Sequence, residues 1–188
     1  MTPKHLLAGL GLVLVGLAAG AAPARAQGNE PVSYKMDDYR SPTPETLEGA
    51  RAVTTDEAYD VWKAGKTIFV DVLPRPPKPK DLPAGTVWRM PKREDIPGSV
   101  WLANVGYGRL HRDLDAWYRE QLRTLTGGDI ARPVLFYCLI DCWMSWNAAK
   151  RALEYGYSSV LWYADGTDGW TLQDYPVEER HPEPYDQP

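Results

Sequence analysis

The chain has 188 residues, 44% of them hydrophobic, with 25 Asp and Glu against 21 Lys and Arg for a net charge of −4. That length suits one domain built on one core, and the acidic balance excludes nucleic acid as an expected partner. Beyond the N-terminus no apolar run is long enough to cross a membrane, no fixed-period repeat is visible, and the composition is that of a globular protein rich in Trp and Tyr.

Lys4 and His5 precede an apolar run from Leu6 to about Ala19, and Ala24-Arg25-Ala26 follows as a small-x-small processing site. The run falls short of the roughly 20 apolar residues that span a bilayer. Residues 1–26 therefore read as a signal peptide cleaved after Ala26. The mature protein is expected in a bacterial periplasm, where paired thiols can be held as a disulfide. Without Lys4 and Arg25 its balance is 19 basic against 25 acidic side chains, or −6. Residues 27–50 are polar and broken by Pro31, Pro42 and Pro44, which predicts an extended arm wrapping a domain over residues 51–172.

Thr54-Thr55-Asp56-Glu57 has the capping-box pattern, and Ala58, Val61 and Trp62 follow at helical spacing, so a short helix starts there. Thr67 to Val72 is a continuous β-branched and aromatic run, as in a strand buried on both faces, with Asp71 near its carboxyl end. Residues 74–98 are too rich in proline for regular structure and locally basic, with Arg75, Lys78, Lys80, Arg89, Lys92 and Arg93. This loop is either a solvated face or a docking site for an acidic protein, for which Arg75, Arg89, Lys92 and Arg93 are the candidates. Ser99 to Leu102 can form another short strand. Leu110, Leu114, Trp117, Leu122 and Leu125 mark an amphipathic helix that stops at Gly127-Gly128. Pro133 to Tyr137 is a further buried-strand run leading directly to Cys138, Ser145 to Tyr155 is helical in composition with Gly156 as its stop, and Ser158 to Tyr163 is a last strand. Residues 173–188 form a polar, acidic tail.

Strands alternating with helices predict a parallel sheet covered on both faces, with ligands gathering at the carboxyl ends of the strands. Asp71 and Cys138 both stand at such ends. A cysteine between a strand and a helix faces backbone N–H groups and the positive end of a helix dipole, both of which favour a thiolate. The chain's two cysteines, Cys138 and Cys142, lie on one loop with Leu139, Ile140 and Asp141 between them. If that loop curls, the Cα atoms can reach the roughly 4.4–6.8 Å that a disulfide needs.

Beside a permanent structural disulfide, three chemistries remain open for the pair. One is a reversible disulfide with Cys138 attacking and Cys142 resolving. Another is a Cu(I) site completed by His111 or His181. The third is a binding module in which Trp143, Ser145 and Trp146 grip a partner. Asp141 disfavours a neighbouring thiolate and repels anions.

The order Thr54 to Ala58, IFVDV ending at Val72, DIPGSV (Asp95 to Val100), VLFYC, NAAKRALEYGY, then DGTDGW (Asp165 to Trp170) resembles a rhodanese homology domain. The resemblance implies a doubly wound α/β fold with helices on both faces and Cys138 where the family carries its sulfur, so that a persulfide joins Cu(I) as a candidate for what the loop holds. The loop departs from the family in having no glycine and no cation of its own, which sets it against thiosulfate and phosphate chemistry. DCWMSWNAAKRALEYGY together with the signal peptide is similar to exported CXXCW-motif proteins of pyrroloquinoline quinone-dependent alcohol catabolism, although three residues rather than two separate the cysteines here. That similarity implies an accessory role beside a periplasmic quinoprotein dehydrogenase, its c-type cytochrome or an associated transport system.

Overall fold

Four consecutive residues that are all apolar or aromatic can be a strand only if both faces of its sheet are covered, and Val134 to Tyr137 are covered in this way. The computed structural model describes residues 30–75, 79–89 and 91–185, so the expected signal peptide lies outside the described residues. The elements are β1 (Arg51–Val53), α1 (Thr55–Ala64), β2 (Ile68–Asp71), β3 (Arg93–Asp95), β4 (Val100–Trp101), α2 (Arg112–Thr126), β5 (Val134–Tyr137), α3 (Trp143–Glu154), β6 (Val160–Tyr163), α4 (Gly166–Leu172) and β7 (Glu178–Arg180). None of the described helices is long and apolar enough to cross a membrane.

Five strands form one sheet in the order β1-β6-β5-β2-β4, with every pairing parallel. Successive side chains alternate between faces. Val70, Val134, Phe136, Val160 and Trp162 pack with α2 and α3 in one core, while Phe69, Leu135, Tyr137, Leu161 and Tyr163 pack with α1 and α4 in the other. The expected α/β architecture, a parallel sheet with helices on both faces, is thus what the chain adopts. Asp71 lies opposite Tyr137, and Tyr137 opposite Tyr163, so the carboxyl ends of the three inner strands are level. From β2 the chain passes to β4 on one side, then returns to β5 on the other. This reversal falls between the carboxyl ends of β2 and β5, the place where such sheets put their ligands, and Asp71 and Cys138 stand there, both buried.

Helix ends follow the local chemistry. Thr54 Oγ1 accepts from the Glu57 N–H, the Glu57 carboxylate accepts from the Thr54 N–H, and Gly65 closes α1 in the left-handed conformation. Gly127 closes α2 likewise.

The 74–98 segment departs from its expected irregularity. Its β3 pairs antiparallel with β7 from the tail, Arg93 opposite Arg180 and Asp95 opposite Glu178, and Lys92 Nζ joins Glu179 at 2.7 Å. Arg-Glu-Asp and Glu-Glu-Arg offer no apolar alternation to mark a strand. Their pairing is decided by backbone bonds between segments distant in sequence.

The arm runs along the start of α3. Asn147 Nδ2 donates to the carbonyls of Lys35 and Gly106 at 2.9 and 2.8 Å, and its Oδ1 accepts from the Lys35 N–H at 3.0 Å. Asn147→Ala removes three hydrogen bonds and leaves buried backbone groups unpaired, a loss of about 2–4 kcal/mol. A lower urea midpoint, with protease cutting first in residues 34–46, is the expected result.

Candidate functional site

Cys138 follows the last residue of the central strand, and Cys142 precedes the first residue of α3. The two are joined in a disulfide with a Cα–Cα distance of 6.4 Å, within the range such a bond requires. Asp141 takes φ = 52°, a left-handed conformation that Asp tolerates better than most residues. The Ile140 N–H donates to Asp168 Oδ2 at 3.0 Å. Behind the loop, a Cβ on Gly166 would come within 2.4 Å of the Cys138 carbonyl oxygen, so only glycine lets α4 start this close. That carbonyl accepts from the Thr167 N–H at 3.0 Å, from Thr167 Oγ1 at 3.3 Å and from Arg93 Nη2 at 3.3 Å.

A layer of charged groups lies beneath the loop. Arg93 Nε donates to Asp71 Oδ2 at 2.8 Å and its Nη1 donates to Thr167 Oγ1 at 3.0 Å. Asp95 Oδ1 accepts from the Ile96 N–H at 2.9 Å and from the Tyr137 hydroxyl, which also lies 2.6 Å from Ser99 Oγ. Asp95 Oδ2 is buried with no hydrogen-bond partner among the described residues. Burial pushes Asp71 above the usual carboxylate range despite the Arg93 charge. Burial, reinforced by the Asp71 charge, pushes Asp95 up to about 7. Tyr137 is held well above its ordinary value by burial and by the carboxylate of Asp95. Burial works against the Arg93 charge, but the charge and hydrogen bond of Asp71, with the charge of Asp95, together outweigh it and hold the guanidinium above its ordinary value.

The candidate residues divide sharply. Cys138, Cys142 and Asp71 meet at the carboxyl end of the sheet, and Arg93 joins them. Arg93 was expected on the basic face, yet β3 turns it inward and Asp71 takes up its charge. Asp71 has no surface of its own to offer a substrate. Arg75, Arg89 and Lys92 stay exposed, with Lys92 paired to Glu179.

Trp143, Ser145 and Trp146 are buried instead of forming a rim. The Trp143 indole donates to Ser41 Oγ and the Trp146 indole to the Thr46 carbonyl, both at 3.1 Å. Ser145 Oγ donates to the Cys142 carbonyl at 3.1 Å and accepts from the Trp162 indole at 3.0 Å. Asp141 is exposed. His111 caps α2 and is two-thirds exposed, and among the described residues no group of three His, Cys, Asp or Glu gathers to hold a metal. Asp95, Gly166 and Thr167 stand within DIPGSV and DGTDGW, the segments that carry the family resemblance, but no role at the site had been expected of them.

Two cavities flank the loop. One, of about 340 Å³, is lined by Pro42, Pro44, Thr54, Ile140, Asp141 and other residues, without a cysteine. The other, of about 410 Å³, lies between the arm and β2 and is lined by Tyr39, Arg40, Leu73, Tyr107, Cys142 and Met144 among others.

No protein family matches the chain, and no curated protein matches it. Among solved structures the chain is similar to the polysulfide-sulfur transferase homodimer of Wolinella succinogenes, with 19% identity over 70% of this chain and 80% of that one and a TM-score of 0.42. It is also similar to a human single-domain sulfurtransferase, with 16% identity, 66% and 97% coverage and a TM-score of 0.41. A Rhodopseudomonas palustris protein described as a possible tyrosine phosphatase gives 19% identity, 72% and 99% coverage and a TM-score of 0.46. Likenesses at this level concern the path of the chain and say nothing of its chemistry.

The folded protein holds the Asp95 proton more tightly than an unfolded chain, whose carboxyl keeps its usual value of 3.8. This contribution is therefore complete below the unfolded value and is lost as pH rises toward about 7. Urea midpoints should fall across that interval for the native protein and change less for Asp95→Asn. Equal slopes in the two proteins would place the proton elsewhere.

Proposed function

We propose that this is an exported, rhodanese-like accessory protein that works as a thiol/disulfide relay through Cys138 and Cys142. One observation carries the reading: the two cysteines are bonded to each other at the carboxyl end of the central strand, beside an open cleft, where parallel α/β sheets place their chemistry. Closing so short a loop removes little chain entropy, so stabilisation is a weak reason for the bond. With the sulfurs joined, Cys138 can carry a persulfide only after the bond has been opened. The place beside a quinoprotein dehydrogenase in alcohol catabolism rests on the sequence resemblance around Cys142-Trp143 and on the signal peptide.

The test is equilibration with glutathione redox buffers, read by the fluorescence of the adjacent tryptophans. A relay should open reversibly at a potential between roughly −270 and −120 mV, the span of known dithiol exchangers, whereas a bond that resists reduction below about −300 mV is structural. Thiosulfate and cyanide should be turned over poorly, because Asp141 and the closed disulfide both oppose the anion, and Asp141→Gly should raise the rate several-fold once the protein is reduced. Normal growth on an alcohol without the protein would remove the quinoprotein placement and leave the exchange chemistry standing.

A further inference from the structure

The two sulfurs are not equally approachable. Cys138 has no accessible surface and borders none of the described cavities. Its carbonyl is clamped by Arg93 and Thr167, and the backbone of Gly166 presses against it. Cys142 retains 2% of its surface and lines the cleft of about 410 Å³ with Tyr39, Leu73, Tyr107 and Met144. That volume lies within the roughly 300–1,000 Å³ of ordinary ligand pockets.

Displacement at a disulfide sulfur is collinear: the incoming thiolate enters opposite the sulfur that leaves, and access decides which sulfur is attacked. No described cavity borders Cys138 from which a thiolate could enter, whereas Cys142 lines the cleft beside the arm.

We infer that Cys142 is the sulfur that exchanges with an incoming thiolate, and that Cys138 is the internal leaving group and resolving thiol. This rests on the exchange reading proposed above and reverses the order in which a strand-to-cysteine junction would assign the roles. One thiolate of a partner protein dithiol attacks Cys142 Sγ. A bond forms between the partner sulfur and Cys142, the Cys138–Cys142 bond breaks, and its electron pair goes to Cys138, which takes up a proton. The partner's second thiolate then attacks the partner's own sulfur in the mixed disulfide, and the electron pair of the broken bond goes to Cys142. The partner is oxidised by two electrons and the cysteine pair is reduced by two; the reverse sequence reduces a partner disulfide. Cys142 is the N-cap residue of α3, whose first turn has no acidic residue, and the positive end of the helix dipole favours a thiolate at that position.

The oxidised native protein, mixed briefly with reduced glutathione and quenched in acid, should carry glutathione on Cys142 when the peptide is fragmented in the mass spectrometer. In parallel, Cys138→Ser, which keeps Cys142, should react with the aromatic disulfide dithiobis(nitrobenzoate) at least ten-fold faster than Cys142→Ser, which keeps Cys138. Glutathione found on Cys138, or equal rates in the two variants, would overturn the assignment while leaving the relay intact. A native disulfide that glutathione never opens would overturn both. Because the first measurement uses the native chain, a variant that fails to fold leaves the inference exposed to refutation.

Discussion

Arg93 brings a guanidinium into the space between the two sheets and the cysteine loop, and four chain segments close on it. Asp71 reaches it from β2, Asp95 shares its strand at 4.0 Å, Thr167 reaches it from α4, and the Cys138 carbonyl meets it from the loop. An ion pair with side chains only 9% and 0% exposed repays its desolvation only where the geometry is good and further hydrogen bonds satisfy the remaining donors, and here Nε, Nη1 and Nη2 each have an acceptor. Removing one partner would leave an unpaired buried charge, at a cost of about 3–5 kcal/mol. The position of the first cysteine therefore depends on a residue 45 positions earlier in the chain.

The loop sits between two walls of different character. Behind it are β5, α4 and the charged layer, all tied by hydrogen bonds among regular elements. In front lies the arm, which has no helix or strand between residues 30 and 50 and is tied to α3 by the Asn147 amide, the Trp143 and Trp146 indoles, the Tyr34–Glu154 bond and the Arg151 guanidinium over the Tyr34 ring. Leu47 anchors it in the core.

The regular part of the fold was legible where burial dictates composition. β5 and β6 are unbroken apolar runs, and β2 is one up to Asp71, because helices cover both faces, and α1 announces itself through Thr54 and Glu57. β3 and β7 could not be read, since strands of Arg, Glu and Asp are specified by their mutual pairing and not by a pattern of their own. α4 was hidden by two glycines, one of them required by the close approach to Cys138. For the site, the cysteines and the end of β2 were legible from their order in the chain. Arg93 was not: within a basic, proline-rich segment nothing distinguishes a buried cation from its solvated neighbours, and only the carboxylate of Asp71 decides between them. The tryptophans misled in the same manner, for bulky rings beside a cysteine look alike whether they line a cleft or fill a core.

Their burial nonetheless bears on how the loop can work. An α-helix leaves its first N–H groups unsatisfied, and α3 has no side-chain cap to meet them. Instead the Tyr39 carbonyl accepts from the Trp143 N–H at 2.9 Å, and the indoles of Trp143 and Trp146 are held by Ser41 and Thr46. The start of the helix is thus held by the arm as well as by the disulfide. On the other side of the loop Arg93 and Thr167 hold the Cys138 carbonyl. Both sulfurs belong to the core that α2 and α3 share with the sheet, so the backbone on each side of the bond is anchored by contacts that do not involve sulfur, while the side chains themselves are part of the packing.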